Sequence, residues 1–525
     1  MAAIVTDQFR ILNASNFIDS IKNTNNSYYI FVGLSNASGV GFGRTSDWDT
    51  NTPNPIDNVS YLNHYKSTIL YGKKITSANV RRVVKNNTWV SGQKYEMYRN
   101  DYSVLNPSPV TNSLRLYDAL YYVINSEYKV YICIDNGSSG STNSSNYTGN
   151  ASLIEPTHTD FEPVKYTDGY SWKYLYSISP SDIIKFDSTE YVVVPNDWET
   201  SSDNNISAIR SNGDSSLNNN QIKKVYIKNS GVNYSLPSQA VYDIVGDGSG
   251  GKVSIEVTNT SITNATVTQG GKNYTYAAVD LGTNSFAANQ TPAELIPIIP
   301  PSRGHGFDVY QELGTDKVLI YSRFDNTSKQ FPIDSIFSQV GILKNPTIYD
   351  ASGESQNIYT SNDFSAVYAM RFNENTIIQE NTIAIGDKIR QSVPGGTAYG
   401  WVTSYDKETK VLKYYQDRSL YYGGATNNVD TIGISSQFST NNTNLSFITG
   451  GTVLTDGGFS ASVSSFTGIT TTLSNKIVNL GVSFTNGLAK PEINNKSGDI
   501  VYIDNRPTVQ RSTNQVEDFK IILEF

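Results

Sequence analysis

Apolar residues in this chain arrive in short packets. Tyr28–Leu34, Tyr128–Ile134, Tyr170–Tyr176, Tyr191–Val194, Lys317–Arg323, Val411–Tyr415 and Phe519–Phe525 each stop after four to seven residues at a polar turn cluster or a chain end. Packets of that length, rich in Tyr, Val and Ile, fit pleated strands, and the Asn, Ser, Gly and Pro between them supply turns. Long helical bundles are disfavoured, and no apolar run approaches the roughly 20 residues a membrane-spanning helix needs. The composition agrees: 36 Tyr and 39 Gly, with only 17% charged residues, suit half-buried sheet surfaces. At about 150 residues per folding unit, 525 residues make three or four domains.

The net charge of −8 disfavours a nonspecific nucleic-acid or anionic-membrane binder. The single cysteine, Cys133, has no internal disulfide partner, and the three scattered histidines, His64, His158 and His305, do not make a Cys/His zinc cage. The start, Met-Ala-Ala-Ile-Val-Thr-Asp, lacks a basic region followed by an apolar stretch, so the expectation is a soluble intracellular product.

Along the chain, Thr6–Lys22 reads as an amphipathic helix capped by Thr6 or Asp7, with Phe9, Leu12, Phe17, Ile18 and Ile21 on one broad face. Tyr28–Leu34 reads as a strand buried on both sides. Leu114, Leu116, Tyr117, Leu120 and Val123 recur at helical intervals, predicting a helix over 113–125. Tyr128–Ile134 is strand-like, with Cys133 a small core residue, and 136–150 is an exposed polar loop. The strands of 168–176 and 191–195 flank a turn containing Pro180, and 201–220 is a polar bridge.

An internal repeat follows. Residues 222–234 align without gaps on 262–274, matching Ile222 to Ile262, Ile227 to Val267, Gly231 to Gly271, Asn233 to Asn273 and Tyr234 to Tyr274. Val241–Val245 and Lys252–Val257 read as strands around the glycine-rich turn Gly246–Gly251, making a small all-β module. Farther on, 385–389, 399–402 and 411–415 read as a tiny barrel or meander, and 435–494 as polar surface sheet. The chain closes with strands at 499–504 and 519–525 around a turn at Asn505-Arg506-Pro507.

Candidate chemistry is thin. Gly246–Lys252 lacks the Ser or Thr that a phosphate loop needs after its lysine, Val253 standing there instead. Gly39, Gly41 and Gly43 are followed by a proline-bearing loop, not by a helix aimed at a pyrophosphate. Asp160, Glu162 and Asp168 form a conceivable glycosidase set, with Tyr166, Tyr170, Trp172 and Tyr174 to stack on sugars, although an aromatic strand more often packs a core. Cys133 has no nearby base, His305 between Gly304 and Gly306 reads as a turn residue, and Asp243 and Asp247 lack acidic neighbours for calcium. No catalytic, cofactor-binding or metal-ligating residue is assigned.

Three segments carry a resemblance. They are Ala3–Arg10 with Asn16–Ile21, Tyr29–Gly33 and Trp48; Asp168–Tyr176 through Ile178, Pro180 and Tyr191–Pro195; and Gly498–Pro507 with Ile521–Phe525. A weaker fourth, Asp334–Ile336 through Lys344–Pro346, falls in the same order. Together they resemble the gene-product-eight baseplate wedge subunit family of T-even-type contractile-tailed bacteriophages. The family's typical member is considerably shorter, and the excess falls in two β-rich blocks, which read as modules inserted into exposed loops.

The resulting expectation is a mainly β, multidomain protein with a few short helices: a β-sandwich scaffold carrying two small all-β inserts. Residues 1–214 are its N-terminal region, 215–295 the first insert, 296–379 a continuation of the scaffold, 380–495 the second insert, and 496–525 the closing strands. The resemblance implies a structural virion protein of the tail baseplate, made in the host cytoplasm, without cofactor or enzymatic activity. It also implies a homodimer that contacts neighbouring wedge proteins, with no nucleic-acid or membrane partner. The competing expectation is a host-surface carbohydrate-binding or depolymerising tail protein; an intermediate one gives the inserts a weak glycan contact.

Overall fold

The structure is a computed structural model that describes residues 5–38, 44–138, 147–214, 221–236, 239–282, 291–325, 335–350, 355–416, 445–512 and 515–525. It is mainly β and multidomain, built from antiparallel sheets with a few short helices. Two compact units emerge, one comprising Met1–Phe17, Arg81–Leu319 and Ile521–Phe525, the other Ile18–Val80 and Ile320–Lys520.

The first unit centres on an aromatic sheet with strand order Tyr122–Ile124, Lys129–Asn136, Tyr170–Ser177, Val164–Lys165. Lys129–Asn136 runs antiparallel to Tyr170–Ser177, setting Cys133 opposite Trp172. Both strands bury almost every residue because Tyr95, Tyr121, Tyr131, Leu175 and Trp198 join one core around them. The rings meet largely edge to face, Tyr95 against Trp172 at 5.7 Å and 73°, the arrangement their quadrupoles favour.

Within the same unit, Ala240–Gly246, Ser249–Thr258, Ser261–Lys272 and Ala277–Asp280 form a four-stranded antiparallel sheet, and Val225–Asn229 pairs with Glu294–Pro297. The repeat seen in the sequence is a repeat of geometry. Gly231 and Gly271 take φ of 61° and 64°, Asn233 and Asn273 take 66° and 62°, and Tyr234 and Tyr274 are both buried. A Cβ on either glycine would stand 2.5–2.6 Å from the ring of its own tyrosine, so glycine is required for close approach as well as for φ. The copies also exchange backbone bonds reciprocally: Ile222 N–H donates to Gly270 O, and the matching Ile262 N–H to Ser230 O.

The second unit holds a five-stranded sheet ordered Asp363–Ser365, Ile69–Ile75, Tyr28–Gly33, Ile336–Lys344, Asp499–Gln510, uniting segments hundreds of residues apart. Tyr28–Gly33 is its central strand and is buried throughout, as its apolar run predicts. A seven-stranded sheet follows the order Ser460–Ser462, Thr452–Thr455, Lys388–Val393, Gly396–Asp406, Val411–Tyr415, Tyr368–Arg371, Leu488–Ala489. Gly468–Leu473 and Lys476–Phe484 make a separate two-stranded ribbon.

Several local expectations are corrected. The Asp7–Lys22 helix, with Thr6 Oγ1 accepting from Phe9 N–H, buries Ile11, Ala14, Ile18 and Ile21, while Phe9 and Leu12 lie exposed. At about 100° per residue the last two fall outside the buried stripe. The helix expected over 113–125 is a single 3₁₀ turn, Leu116–Asp118, followed by strand. Distant groups claim its backbone: Glu96 accepts from Leu120 N–H, and Tyr121 O accepts from Cys133 N–H. The expected turn at Pro180 is a helix, Pro180–Phe186, with Ser179 as cap and proline in its first turn, where no N–H is missed. The polar bridge contains the helix Asn204–Gly213, capped by Asp203.

The meander strands of 388–415 belong to a larger sheet, and the block expected as polar surface sheet buries Val453, Phe459, Ala461 and Val463 in its core. No turn forms at Asn505-Arg506-Pro507; the strand Asp499–Gln510 runs through it. The strand pairs on one side only, and a register irregularity there spares the proline a ladder bond. Gly39, Gly41 and Gly43 lie outside the described residues, as does most of the loop 136–150.

Candidate functional site

A cleft in the first unit encloses about 640 Å³. Its wall mixes signs, with Arg10, Lys85, Arg115 and Lys317 beside Asp7, Asp118, Glu190, Asp316 and Glu524. Much of that charge is already matched. Arg115 pairs with Asp7, and Lys317 reaches Asp316 at 2.8 Å and Glu524 at 3.3 Å. Tyr117 and Tyr122 donate their hydroxyls to Gln311 O and Lys85 O, so the cleft's aromatic rim is fixed to backbone.

The carboxylates weighed from sequence do not converge on a reacting centre. Asp168 accepts from the backbone N–H groups of Leu153, Ile154 and Tyr170, holding a loop in place. Glu162 accepts from Lys223 Nζ and Asn212 Nδ2, each at 2.7 Å. Burial raises its pKa, but the Lys223 ammonium and the Asn212 amide outweigh that and hold it below the ordinary range. Asp160 points to solvent, 3.8 Å from His158 Nδ1. Of the rings proposed to stack on sugars, Tyr170, Trp172 and Tyr174 are buried in the core and Tyr166 is half-buried.

Cys133 is wholly buried, and burial pushes its thiol well above the ordinary value, away from nucleophilic use. His158 packs beside Tyr131 with Nε2 3.0 Å from Trp172 O, and burial lowers its pKa. His64 is buried in the helix Val59–Ser67. His305 lies in a turn between two left-handed glycines, as expected, and is buried there. Its Nδ1 lies 2.5 Å from Glu312 Oε1, Gly306 N–H donates to Glu312 Oε2, and the imidazole stands edge-on to Tyr98 at 4.8 Å. The pair ties the loop before the helix Val309–Leu313 to that helix. Lys173, buried beside Gly306, donates to Phe161 O and Asn212 Oδ1, and burial pulls it down to about 8.

The turn expected over Gly246–Lys252 narrows to Asp247-Gly248 between two paired strands, and Lys252, within the second, lies 2.7 Å from Asp243 across the ladder. Asp247 is held by Thr275 and the Tyr276 N–H, bonds that lower its pKa. Among the described residues no three His, Cys, Asp or Glu side chains gather as a metal site requires.

Sequence reasoning missed the polar groups that join the repeat module to the aromatic sheet. Arg99 is buried, bound through both ends of its fork to Asp101 at 2.8 Å, and lies over the Tyr226 ring at 4.2 Å. Lys224 Nζ reaches Asp135 Oδ2 at 2.7 Å, and Asn100 Oδ1 accepts from Ile299 N–H. Beside these contacts a crevice of about 370 Å³ separates the two sheets. A composition change at residue 221 was legible, but nothing local marks Arg99 as the partner of a tyrosine so far along the chain.

No family model matches the chain. Over 219 residues it is 25% identical to a protein described as "Baseplate wedge protein gp8" of Enterobacteria phage T4. That alignment takes in 37% of this chain and 60% of the relative's length. The similarity points to phage baseplate proteins and leaves most of this chain unmatched.

Proposed function

We propose that this protein is a structural component of a bacteriophage tail baseplate, of the wedge type, that acts through protein–protein surfaces and turns over no substrate. The observation that carries the reading is the similarity to a baseplate wedge protein. The geometry is compatible with it. The ionisable groups that invited a catalytic reading are engaged in holding loops, helices and modules together: Asp168 on backbone amides, Glu162 on Lys223, and His305 on Glu312. Three of the four rings weighed for sugar stacking are buried, which removes them from the carbohydrate alternative and leaves it the Ser-, Thr- and Asn-rich β inserts. Tail location in the virion follows from the same reading, as does contact with neighbouring wedge proteins.

The test is direct. Purified tails should contain the chain in fixed ratio to other baseplate proteins, and particles made without it should lack intact baseplates. Tails of normal form and composition assembled in its absence would refute the proposal, as would polysaccharide cleavage by the isolated chain.

A further inference from the structure

We propose that Lys173 and Asn212 become joined by an amide bond between their side chains, which the chain forms by itself with Glu162 as the acid–base group. The strand Tyr170–Ser177 buries Lys173 in the first unit, and Asn212 sits, half-buried, in the last turn of the helix Asn204–Gly213. Lys173 Nζ lies 3.1 Å from Asn212 Oδ1. At the other end of the same amide, Nδ2 lies 2.7 Å from Glu162 Oε1. An amine, a carboxamide and a carboxylate therefore stand in sequence, and a small shift of Nζ from the amide oxygen to the carbon beside it makes a near-attack arrangement.

Both reacting partners are in usable protonation states. Lys173 donates to two neutral oxygens, Phe161 O at 2.6 Å and Asn212 Oδ1, which are the two acceptors that an uncharged amine needs. Its lone pair is then free to attack. Burial pulls the Lys173 pKa down to about 8, with Lys223 adding to the effect and Glu312 and Glu162 opposing it, so an appreciable fraction is uncharged near neutral pH. Burial works against ionisation of Glu162, but the bonds from Lys223 and Asn212 outweigh it, so the carboxylate stands ready to accept a proton.

The step balances without an outside reagent. The Nζ lone pair forms a bond to Asn212 Cγ while the carbonyl electrons move onto Oδ1. Glu162 takes the proton that Nζ sheds and passes it to Nδ2. The carbonyl re-forms, the Cγ–Nδ2 bond breaks, and Nδ2 departs as ammonia. One C–N bond replaces another, and nothing is oxidised or reduced. Nδ2 faces the half-exposed Glu162 side chain, which gives the ammonia a way out to solvent.

The product ties an inner strand of the aromatic sheet to the helix of the polar bridge, across a span of 39 residues. A cross-link of that span restricts the unfolded chain as a disulfide does, in a protein whose single cysteine leaves it no disulfide within the chain. A rival reaction shares the electrophile: Asn212 precedes Gly213, whose backbone nitrogen can displace the same ammonia to give a succinimide. Both routes lose one ammonia, but only the cross-link branches the chain. The inference rests on these three side chains and stands independently of the baseplate reading.

Tryptic mapping of the full chain by mass spectrometry tests it. Trypsin does not cut after an acylated lysine, so the cross-link gives a branched species in which residues 166–185 are joined to 211–223, lighter by one ammonia than the two peptides together. The expected results are that species in the purified protein, more of it after incubation above the folded pKa of Lys173, and none in Lys173→Arg or Asn212→Ala, each of which lacks one reacting group. Glu162→Gln, at a half-exposed position, should keep the wild-type circular dichroism and lose the branched species. Unbranched peptides in every wild-type sample overturn the proposal. Ammonia loss confined to an unbranched 211–223 peptide overturns it too, since that is the succinimide. An equal yield of branched species in Glu162→Gln overturns the acid–base role of Glu162.

Discussion

The two copies of the repeat, residues 222–234 and 262–274, share a local structure but not a role. Each turns through a left-handed glycine and asparagine and drops a tyrosine into the module's core. Only the first is rooted in the aromatic sheet. Its Lys223, Lys224 and Tyr226 bind Glu162, Asp135 and Arg99, whereas the equivalent Thr263, Asn264 and Thr266 of the second are exposed. The residues the copies share build the unit, and the residues in which they differ attach it.

Removing residues 215–295 should have the largest effect. Tyr226 belongs to the aromatic core, so the deletion should give insoluble or protease-sensitive protein; a soluble product with the full chain's resistance at 81–214 would break the distinction. Next, Gly271→Ala should destabilise the module by about 3 kcal/mol, because the added Cβ meets Gly251 N at 2.6 Å in a φ that side chains resist. Loss of amide protection in 249–272 would report it. Tyr226→Thr, which gives the first copy the residue of the second, should cost about 2–4 kcal/mol by emptying the space under Arg99. Protection should fall at the junction while the repeat turns keep theirs.

A finer comparison separates the two tyrosines. The Tyr274 hydroxyl accepts from Gly251 N–H and donates to Ile244 O, while the Tyr234 hydroxyl accepts from Ala293 N–H. Tyr274→Phe should therefore cost about 2 kcal/mol and Tyr234→Phe about 1 kcal/mol, since unmatched buried groups set the penalty. Equal losses in hydrogen exchange would contradict the assignment of partners.

The smallest effect concerns acid. The Glu162 pKa is lower in the folded chain, so its stabilising contribution is present above the ordinary carboxylate range and fades as pH falls through the folded value. The junction should loosen slightly below about pH 4, and Lys223→Thr should flatten that dependence. An unchanged acid profile in this variant would remove Glu162–Lys223 from the attachment.

Elements whose partners lie nearby were the most legible. Tyr28–Gly33 announced itself through an unbroken run of six apolar or small residues, and Gly-x-Asn-Tyr through its repetition, which the structure shows to be a left-handed turn over a buried ring. The 113–125 segment misled because helical spacing is a statement about one segment, while Glu96 and Cys133 offered its backbone better partners from elsewhere. The candidate site fared similarly. Tyr170, Trp172 and Tyr174 look alike in sequence whether they face sugar or core, and Asp168 looks alike whether it faces substrate or three backbone amides.

Alone, the order of residues determined that this would be a β-rich protein with a duplicated unit, because strand period, turn chemistry and repeated spacing act over a few neighbours. Tertiary structure decided which side of each strand met the core and which copy of the duplicate was grafted. Those outcomes depend on pairing between segments up to hundreds of positions apart, as where Ile336–Lys344 settles between Tyr28–Gly33 and Asp499–Gln510. The energy of such a choice resides in the burial and bonding of both partners at once, and neither partner's own residues contain it.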